Sequence, residues 1–215
     1  MIALERVSKR YWARDEWRQV LRDVSVVFPT GRSVGILGRN GAGKSTLMRL
    51  IAGAERPDSG QIRRDVRVSW PMGFTSGFQG SLTGRDNARF VARIYRTDTA
   101  FVEEYVAGFA DLGTYFDMPV STYSAGMRAR LALGLSFAVD FEVYLVDELP
   151  GVGDARFVKR YSDEMEKRRT HSDLILVSHQ IKSIKKQCDI AAVLHDGKIT
   201  LFDDVEAAIR LYSAL

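Results

Sequence analysis

The stretch SVGILGRNGAGKST, residues 33–46, decides the fold class of this chain. Its apolar first part predicts a strand, and GRNGAGKST after it matches the pattern G-x-x-x-x-G-K-[ST] at the start of a predicted helix. Glycines at this spacing let the backbone wrap so that its N–H groups face phosphate oxygens, and the helix start adds partial positive charge. We call residues 38–46 the phosphate loop and expect it to bind a nucleoside triphosphate, with Lys44 at the β- and γ-phosphates and the Ser45 hydroxyl on Mg²⁺. The residues expected to contact the nucleotide here are Gly38, Arg39, Asn40, Gly41, Ala42, Gly43, Lys44, Ser45 and Thr46.

Outward from this loop, short apolar runs alternate with helical patterns, which predicts a mostly parallel sheet. Near the amino terminus, IALERV (2–7) and VSVVF (24–28) are predicted strands, and EVYLVDE (142–148) and DLILVSH (173–179) contain buried ones. Three helical segments between about residues 80 and 138 interrupt the alternation. We therefore expect an α/β P-loop NTPase of one domain over residues 1–215. Its core is predicted at about 1–79 and 139–215, with an inserted helical subdomain at about 80–138.

The composition fits a globular protein, with 46% hydrophobic and 27% charged residues. The chain has 31 Lys and Arg residues and 27 Asp and Glu residues, which gives a net charge of +4. This charge is too small to indicate by itself that the protein binds nucleic acid. Cys188 is the single cysteine, so an internal disulfide framework is excluded. Neither a run of roughly eighteen apolar residues nor the apolar core of a signal peptide is present. We expect a soluble chain that would depend on another chain for any membrane span.

Two acids end the strand in EVYLVDE. Because ligands of open α/β sheets lie at the carboxyl ends of the strands, Asp147 is expected beside the phosphate loop as a Mg²⁺ ligand. Glu148 leaves the strand where a carboxylate can deprotonate an attacking water. Paired acids at a strand end are also common as plain surface charge. Their position in a chain that carries a phosphate loop favours the catalytic interpretation.

The segment YSAGMRARL, residues 123–131, opens another predicted helix. Ser124 is a good N-cap, and Gly126 leaves the backbone N–H groups accessible. An ordinary cap and an anion-binding helix start are compatible interpretations of this pattern. The segment resembles the LSGGQ signature of ABC ATPases, with Met127 in place of glutamine. The chain is therefore similar to members of that family. This resemblance also implies antiparallel strands at the amino terminus of the core.

The resemblance implies roles for further residues. Tyr11 corresponds to the aromatic that stacks on adenine, Gln79 to a glutamine that binds Mg²⁺, and His179 to the switch histidine at the γ-phosphate. Asp154 corresponds to an aspartate that contacts a second subunit. The family implies two copies arranged head to tail, in which each ATP lies between the phosphate loop of one copy and Ser124 and Gly126 of the other. Lys44, Glu148 and His179 are the implied catalytic residues.

Three stretches are similar to the ATPase subunit of capsular polysaccharide exporters (KpsT-type): SWPMGFTSGFQGSLTGRDN, YFDMPVSTYSAGMRARL and VDELPGVGDARF. This resemblance implies an ATPase on the cytoplasmic face of the bacterial inner membrane, bound to a polytopic permease. The complex, rather than this chain, would contact the polysaccharide, and no nucleic acid is involved. Exporters of O-antigen or teichoic acid are the nearest alternative; some carry an extra carbohydrate-binding domain, for which little chain remains after His179. A soluble non-transport ABC ATPase and a solitary P-loop kinase or GTPase are further alternatives.

Overall fold

A computed structural model describes residues 1–13, 15–73, 77–147, 155–178 and 180–215. These residues form two compact units. The first, here called the sheet unit, comprises the described residues of 1–71, 141–147 and 171–215. The second, the helical unit, comprises the described residues of 72–140 and 149–170.

The sheet unit contains all the strands of the described chain and the helices that pack on them. Its strands are β1 Ile2–Ala13, β2 Glu16–Phe28, β3 Val34–Leu37, β4 Ser59–Arg64, β5 Val68–Pro71, β6 Val143–Asp147, β7 Asp173–Val177, β8 Ile190–His195 and β9 Lys198–Phe202. Its helices are α1 Lys44–Ala52, α6 Ile181–Gln187 and α7 Val205–Ala214.

Two sheets organise this unit. A three-stranded antiparallel sheet has the order β2-β1-β4, and a six-stranded sheet has the order β5-β6-β7-β3-β8-β9. The second sheet is parallel except for β9, which runs antiparallel to β8. The mostly parallel core sheet and the antiparallel strands at the amino terminus are thus confirmed.

The hairpin of β1 and β2 is longer than the sequence predicted. Cross-strand pairing continues past Val7 through Tyr11↔Arg18 and Trp12↔Trp17. Exposed side chains occupy both faces of this distal part, so the alternation that marks a strand in sequence is missing there.

The register of the parallel strands determines which residues lie next to the phosphate loop. Ile36 of β3 and Asp147 of β6 both pair with Val177 of β7. The carboxyl ends of three neighbouring parallel strands therefore lie at one level. Because the phosphate loop follows β3 directly, it begins beside the end of β7 and one strand away from Asp147.

The helix that follows the phosphate loop, α1, is held in place by its burial against the strands. Leu47, Met48, Leu50 and Ile51 are fully buried in one core cluster with side chains of β1, β2, β3, β6, β7 and β8. Each such side chain contributes about 1.5–3 kcal/mol by leaving water. The start of α1 is therefore held rigidly by the core behind it.

The helical unit consists of α2 Gly84–Tyr95, α3 Thr99–Ala110, α4 Ala125–Ala138 and α5 Ala155–Arg169, with 3₁₀ turns at Gly113–Asp117 and Val120–Thr122. Its centre is aromatic: the ring of Phe109 lies 5.3 Å from that of Phe137 and 5.5 Å from that of Phe157. Tyr161 adds a further contact with Phe137 at 5.6 Å. These contacts join α5 to this unit, which is therefore wider than the predicted subdomain at about 80–138.

The helices of the described residues differ in length and in apolar character. None of these helices combines the length and the apolar character that crossing a bilayer requires.

Candidate functional site

An open groove of about 500 Å³ lies in the sheet unit at the carboxyl ends of its parallel strands. The phosphate loop forms its floor, the β1–β2 hairpin one wall, and the ends of β6 and β7 another. Its lining residues are Tyr11, Arg18, Val20, Asn40, Gly41, Gly43, Lys44, Ser45, Thr46, Asp147 and Val177.

The glycines of the phosphate loop are required by its geometry. Gly41 and Gly43 have φ of 80° and 104°, in the left-handed region that favours glycine. A Cβ at Gly43 would lie 2.6 Å from Val20 Cγ1, and one at Gly38 would lie 2.6 Å from the carbonyl oxygen of Leu194. The loop therefore needs glycine both for its backbone angles and for its close approach to β2 and β8.

The loop presents a concentrated positive potential. The half-buried Lys44 Nζ donates hydrogen bonds to the carbonyl oxygens of Gly38 at 2.6 Å and Arg39 at 3.1 Å, which keeps the ammonium inside the turn. Gly43 is the N-cap of α1, and no described side chain caps its first N–H groups. Exposed N–H groups, the helix dipole and one cation at the same point form a site for a polyanion such as a triphosphate.

Oxygen donors lie in the same groove. The exposed Ser45 hydroxyl starts α1, and the half-buried Asp147 carboxylate ends β6. Both line the groove. Register and loop position thus bring together two residues that stand far apart in the chain.

Tyr11 lines the groove from β1, and its hydroxyl belongs to a polar cluster at the other end of α1. It donates to the Glu55 carboxylate, whose oxygens lie at 2.7 and 2.8 Å. Lys9 Nζ and Arg49 Nε each contact the same carboxylate at 3.1 Å. Burial raises the pKa of Glu55, but hydrogen bonds from Tyr11, Lys9 and Arg49 outweigh it, so the net pKa is lowered and Glu55 is ionised at neutral pH.

Sequence analysis missed Glu55, as well as Arg18 and Val20 in the groove wall. No motif marks these residues. They reach the groove through pairing of β1 with β2 and through the end of α1, which a linear pattern does not report.

Other predicted site residues belong to the helical unit. Gln79 is exposed, and its backbone N–H donates to Asn87 Oδ1 at 3.2 Å. Ser124 is the N-cap of α4, and its Oγ accepts the backbone N–H of Met127 at 3.2 Å. Gly126 follows within the first turn and is half-buried.

Three predicted residues, Glu148, Asp154 and His179, lie outside the described residues. Their roles stay predictions.

The model of the ABC transporter family matches residues 21–150. The chain belongs to the ABC transporter family. This ABC ATPase is 49% identical to the capsule polysaccharide export ATP-binding protein CtrD of Neisseria meningitidis serogroup B, over 100% of both chains. It is also 46% identical to the polysialic acid transport ATP-binding protein KpsT of Escherichia coli, covering 99% of this chain and 98% of the relative.

A solved structure agrees on the fold. The ATP-binding cassette MJ0796, in a dimeric post-hydrolysis state bound to ADP and Pi, superposes with a TM-score of 0.76 at 19% identity. The superposition covers 93% of this chain and 96% of that one. The fold class, the family resemblance and the ATPase assignment made from sequence are confirmed, and the cassette binds nucleotide.

Proposed function

We propose that this ABC ATPase supplies the energy for export of capsular polysaccharide through a polytopic permease at the cytoplasmic face of the bacterial inner membrane. One observation carries the proposal: the similarity to capsule export ATP-binding proteins extends over the whole of both chains. The relatives' substrate class is thereby transferred to this chain. Exporters of O-antigen or teichoic acid are the alternatives to be tested.

ATP binds in the groove of the sheet unit. Lys44 and the N–H groups of the phosphate loop bind the β- and γ-phosphates, because they combine fixed dipoles with the cation held at Gly38 and Arg39. The Tyr11 ring, on the wall of the same groove, is the platform for adenine.

Mg²⁺ fits the oxygen donors of this groove. Ser45 and Asp147 offer a hydroxyl and a carboxylate, and Mg²⁺ in nucleotide sites takes few protein oxygens together with phosphate oxygens and water. When bound, the ion neutralises charge on the β- and γ-phosphates. Gln79 is included as a third ligand on the strength of the family resemblance alone.

Hydrolysis is proposed to need a second copy of the chain. The groove is open, so one side of the triphosphate stays without donors until the α4 start of a partner copy covers it. Ser124 and Gly126 would then contact the γ-phosphate of the ATP bound by the other copy. Glu148 is the proposed base for water, with His179 at the γ-phosphate and Asp154 at the partner.

The helical unit offers a surface for the permease. On α2, the side chains of Phe90 and Ile94 lie one turn apart and are 54% and 56% exposed. Exposed apolar side chains at this spacing favour contact with a helix of another protein. Movement of this unit on ATP binding and release would transmit work to the permease.

Two measurements test the proposal. Affinity purification of the chain from detergent-solubilised membranes should recover a polytopic membrane protein. Deletion of the gene should remove capsule from the cell surface and leave polysaccharide inside, and the wild-type gene but not Lys44→Ala should restore it. Normal capsule with loss of O-antigen or teichoic acid would assign the alternative substrate, and recovery with no membrane partner would contradict a transport role.

A further inference from the structure

A polar cluster surrounds the Tyr11 hydroxyl, and its members Lys9, Arg49 and Glu55 have no part in the roles assigned so far. It is formed by Lys9, Tyr11, Thr46, Arg49 and Glu55. The cluster joins the two ends of the groove, because Thr46 closes the phosphate loop and Tyr11 forms the proposed base platform.

Glu55 is the centre of this cluster. Its carboxylate accepts the Tyr11 hydroxyl at 2.7 Å and pairs with Arg49 at 3.1 Å and with Lys9 at 3.1 Å. The Glu55 side chain is 22% exposed and that of Lys9 only 12%, so solvent screens these contacts less than it screens a surface pair. The acceptor of the tyrosine hydroxyl is therefore held in one place by two cations.

Arg49 extends the cluster to the phosphate loop. Its Nη2 lies 3.2 Å from the Tyr11 hydroxyl and 3.2 Å from Thr46 Oγ1. Glu55 itself follows the end of α1, where its backbone N–H donates to the carbonyl oxygen of Arg49 at 3.3 Å. One buried helix thus begins at the triphosphate site and ends at the carboxylate that holds Tyr11.

Within the hairpin, the Lys9 ammonium lies 5.4 Å from the centroid of the Tyr11 ring, and this flexible side chain does not by itself fix the plane of the ring. Beyond Tyr11 the side chains of Trp12 and Trp17 are 59% and 56% exposed, and they pack on each other rather than on the core. Stacking requires the two ring planes to face each other, so it depends on the orientation of the platform. A bond at the hydroxyl end of Tyr11 sets that orientation.

We infer that Glu55 is a positioning residue that fixes the Tyr11 ring at the distance and orientation needed to stack on the nucleobase, with α1 as the rigid spacer to the phosphate loop. The inference rests on the proposed role of Tyr11. It gives Glu55 a function in nucleotide recognition although the residue does not line the groove.

Binding of two ligands to the full chain separates this role from a structural one. ATP carries the base and the triphosphate, whereas inorganic tripolyphosphate carries only the latter. Because base stacking contributes to ATP binding and Glu55 acts on that contact, Glu55→Ala should weaken ATP binding about five- to tenfold and tripolyphosphate binding less than about twofold. Glu55→Gln, which still accepts the tyrosine hydroxyl, should restore most of the ATP affinity.

Further variants keep the test decisive. Tyr11→Phe removes the same hydrogen bond and keeps the ring, so it should weaken ATP binding as Glu55→Ala does, even if Glu55→Ala unfolds. In combination with Tyr11→Ala, Glu55→Ala should add no further loss, because it acts through that ring. Asp58→Asn is the matched control: Asp58 contacts the same Lys9 Nζ at 3.2 Å but not Tyr11, so ATP binding should stay unchanged.

The outcomes distinguish the two proposals. Equal weakening of ATP and tripolyphosphate by Glu55→Ala, or unchanged ATP binding by both Glu55→Ala and Tyr11→Phe, would overturn the positioning role. If Tyr11→Ala leaves ATP binding unchanged, the proposed role of Tyr11 as the base platform is rejected, while the proposed phosphate site is unaffected.

Discussion

The starts of α1 and α4 are both proposed to bind phosphate, and they are built in opposite ways. At α1 the N-cap is Gly43, with φ of 104°, and among the described side chains none caps the first turn. At α4 the N-cap is Ser124, with extended backbone angles, and its Oγ accepts the N–H of Met127. The first start is shaped by a loop that depends on glycine and by a buried core, and the second by a local cap.

This difference indicates two kinds of binding site. The α1 start has its N–H groups and the Lys44 cation in place without any partner, so it is suited to bind ATP in a single chain. The α4 start has an exposed N-cap at Ser124, its Arg128 donates to the carbonyl oxygen of Tyr123, and none of its described residues lines the groove, so it is suited to add contacts to an ATP that another copy already holds. Variants at the two starts should therefore separate ATP binding from assembly.

The largest effect is expected for Lys44→Ala. Hydrogen bonds to charged groups contribute about 1.5–3 kcal/mol each, so losing the ammonium should weaken ATP binding at least about hundredfold. Titration calorimetry on the folded chain measures this. Lys185→Ala, which removes a surface lysine paired with Glu206 in the same unit, is the control and should bind ATP normally. Near-native affinity in Lys44→Ala would show that the α1 start is not the ATP site.

Ser124→Arg tests the other start. The added bulk would occupy the space proposed for the partner's γ-phosphate, and overpacking of this kind costs about 1–3 kcal/mol, so the ATP-dependent dimer should weaken about twentyfold. ATP binding by the monomer should stay within about twofold of wild type, because the groove lies in the sheet unit. Sedimentation velocity with a non-hydrolysable ATP analogue measures the dimer. Ser124→Ala controls for the lost cap, and an unchanged dimer in Ser124→Arg would reject the composite site.

Gly43→Ala tests whether the backbone geometry of the α1 start depends on glycine. An added Cβ meets Val20 Cγ1 at 2.6 Å, and φ of 104° disfavours any L side chain. The unfolding free energy should fall by about 2 kcal/mol and ATP binding should weaken about tenfold. Chemical denaturation and titration calorimetry provide the two values. Wild-type behaviour in both would mean that the loop relaxes freely and that its shape does not depend on glycine.

Gly126→Ala, the same substitution at the α4 start, should have the smallest effect and the opposite sign. Among the described residues, a Cβ there would have one neighbour within 4 Å, Ser124 Oγ at an ordinary 3.9 Å. Because alanine favours the helix over glycine, the unfolding free energy should rise by about 0.5 kcal/mol with monomer ATP binding unchanged. Thermal unfolding measures the gain. Destabilisation similar to that of Gly43→Ala would remove the contrast between the two starts.

Prediction from sequence succeeded where structure is local. The phosphate loop, the cap at Ser124 and the buried strands β6 and β7 were all predicted, since each depends on contiguous residues. It was incomplete for the β1–β2 hairpin, whose exposed end lacks alternation. It also placed α5 with the core, because the aromatic contacts of Phe157 are made with residues distant in the chain.

The sequence by itself determined that this protein has a loop for phosphate, because the N–H groups of such a loop come from consecutive residues and therefore leave a contiguous motif. Tertiary structure alone decided what surrounds that loop. Asp147 comes beside it through the register of β6 and β7, and Tyr11 lines the same groove through the pairing of β1 with β2. Glu55 meets Tyr11 because α1 is buried against the same core. Such contacts join residues that are far apart in the chain. Side-chain packing brings these residues together, and no local sequence pattern records that packing.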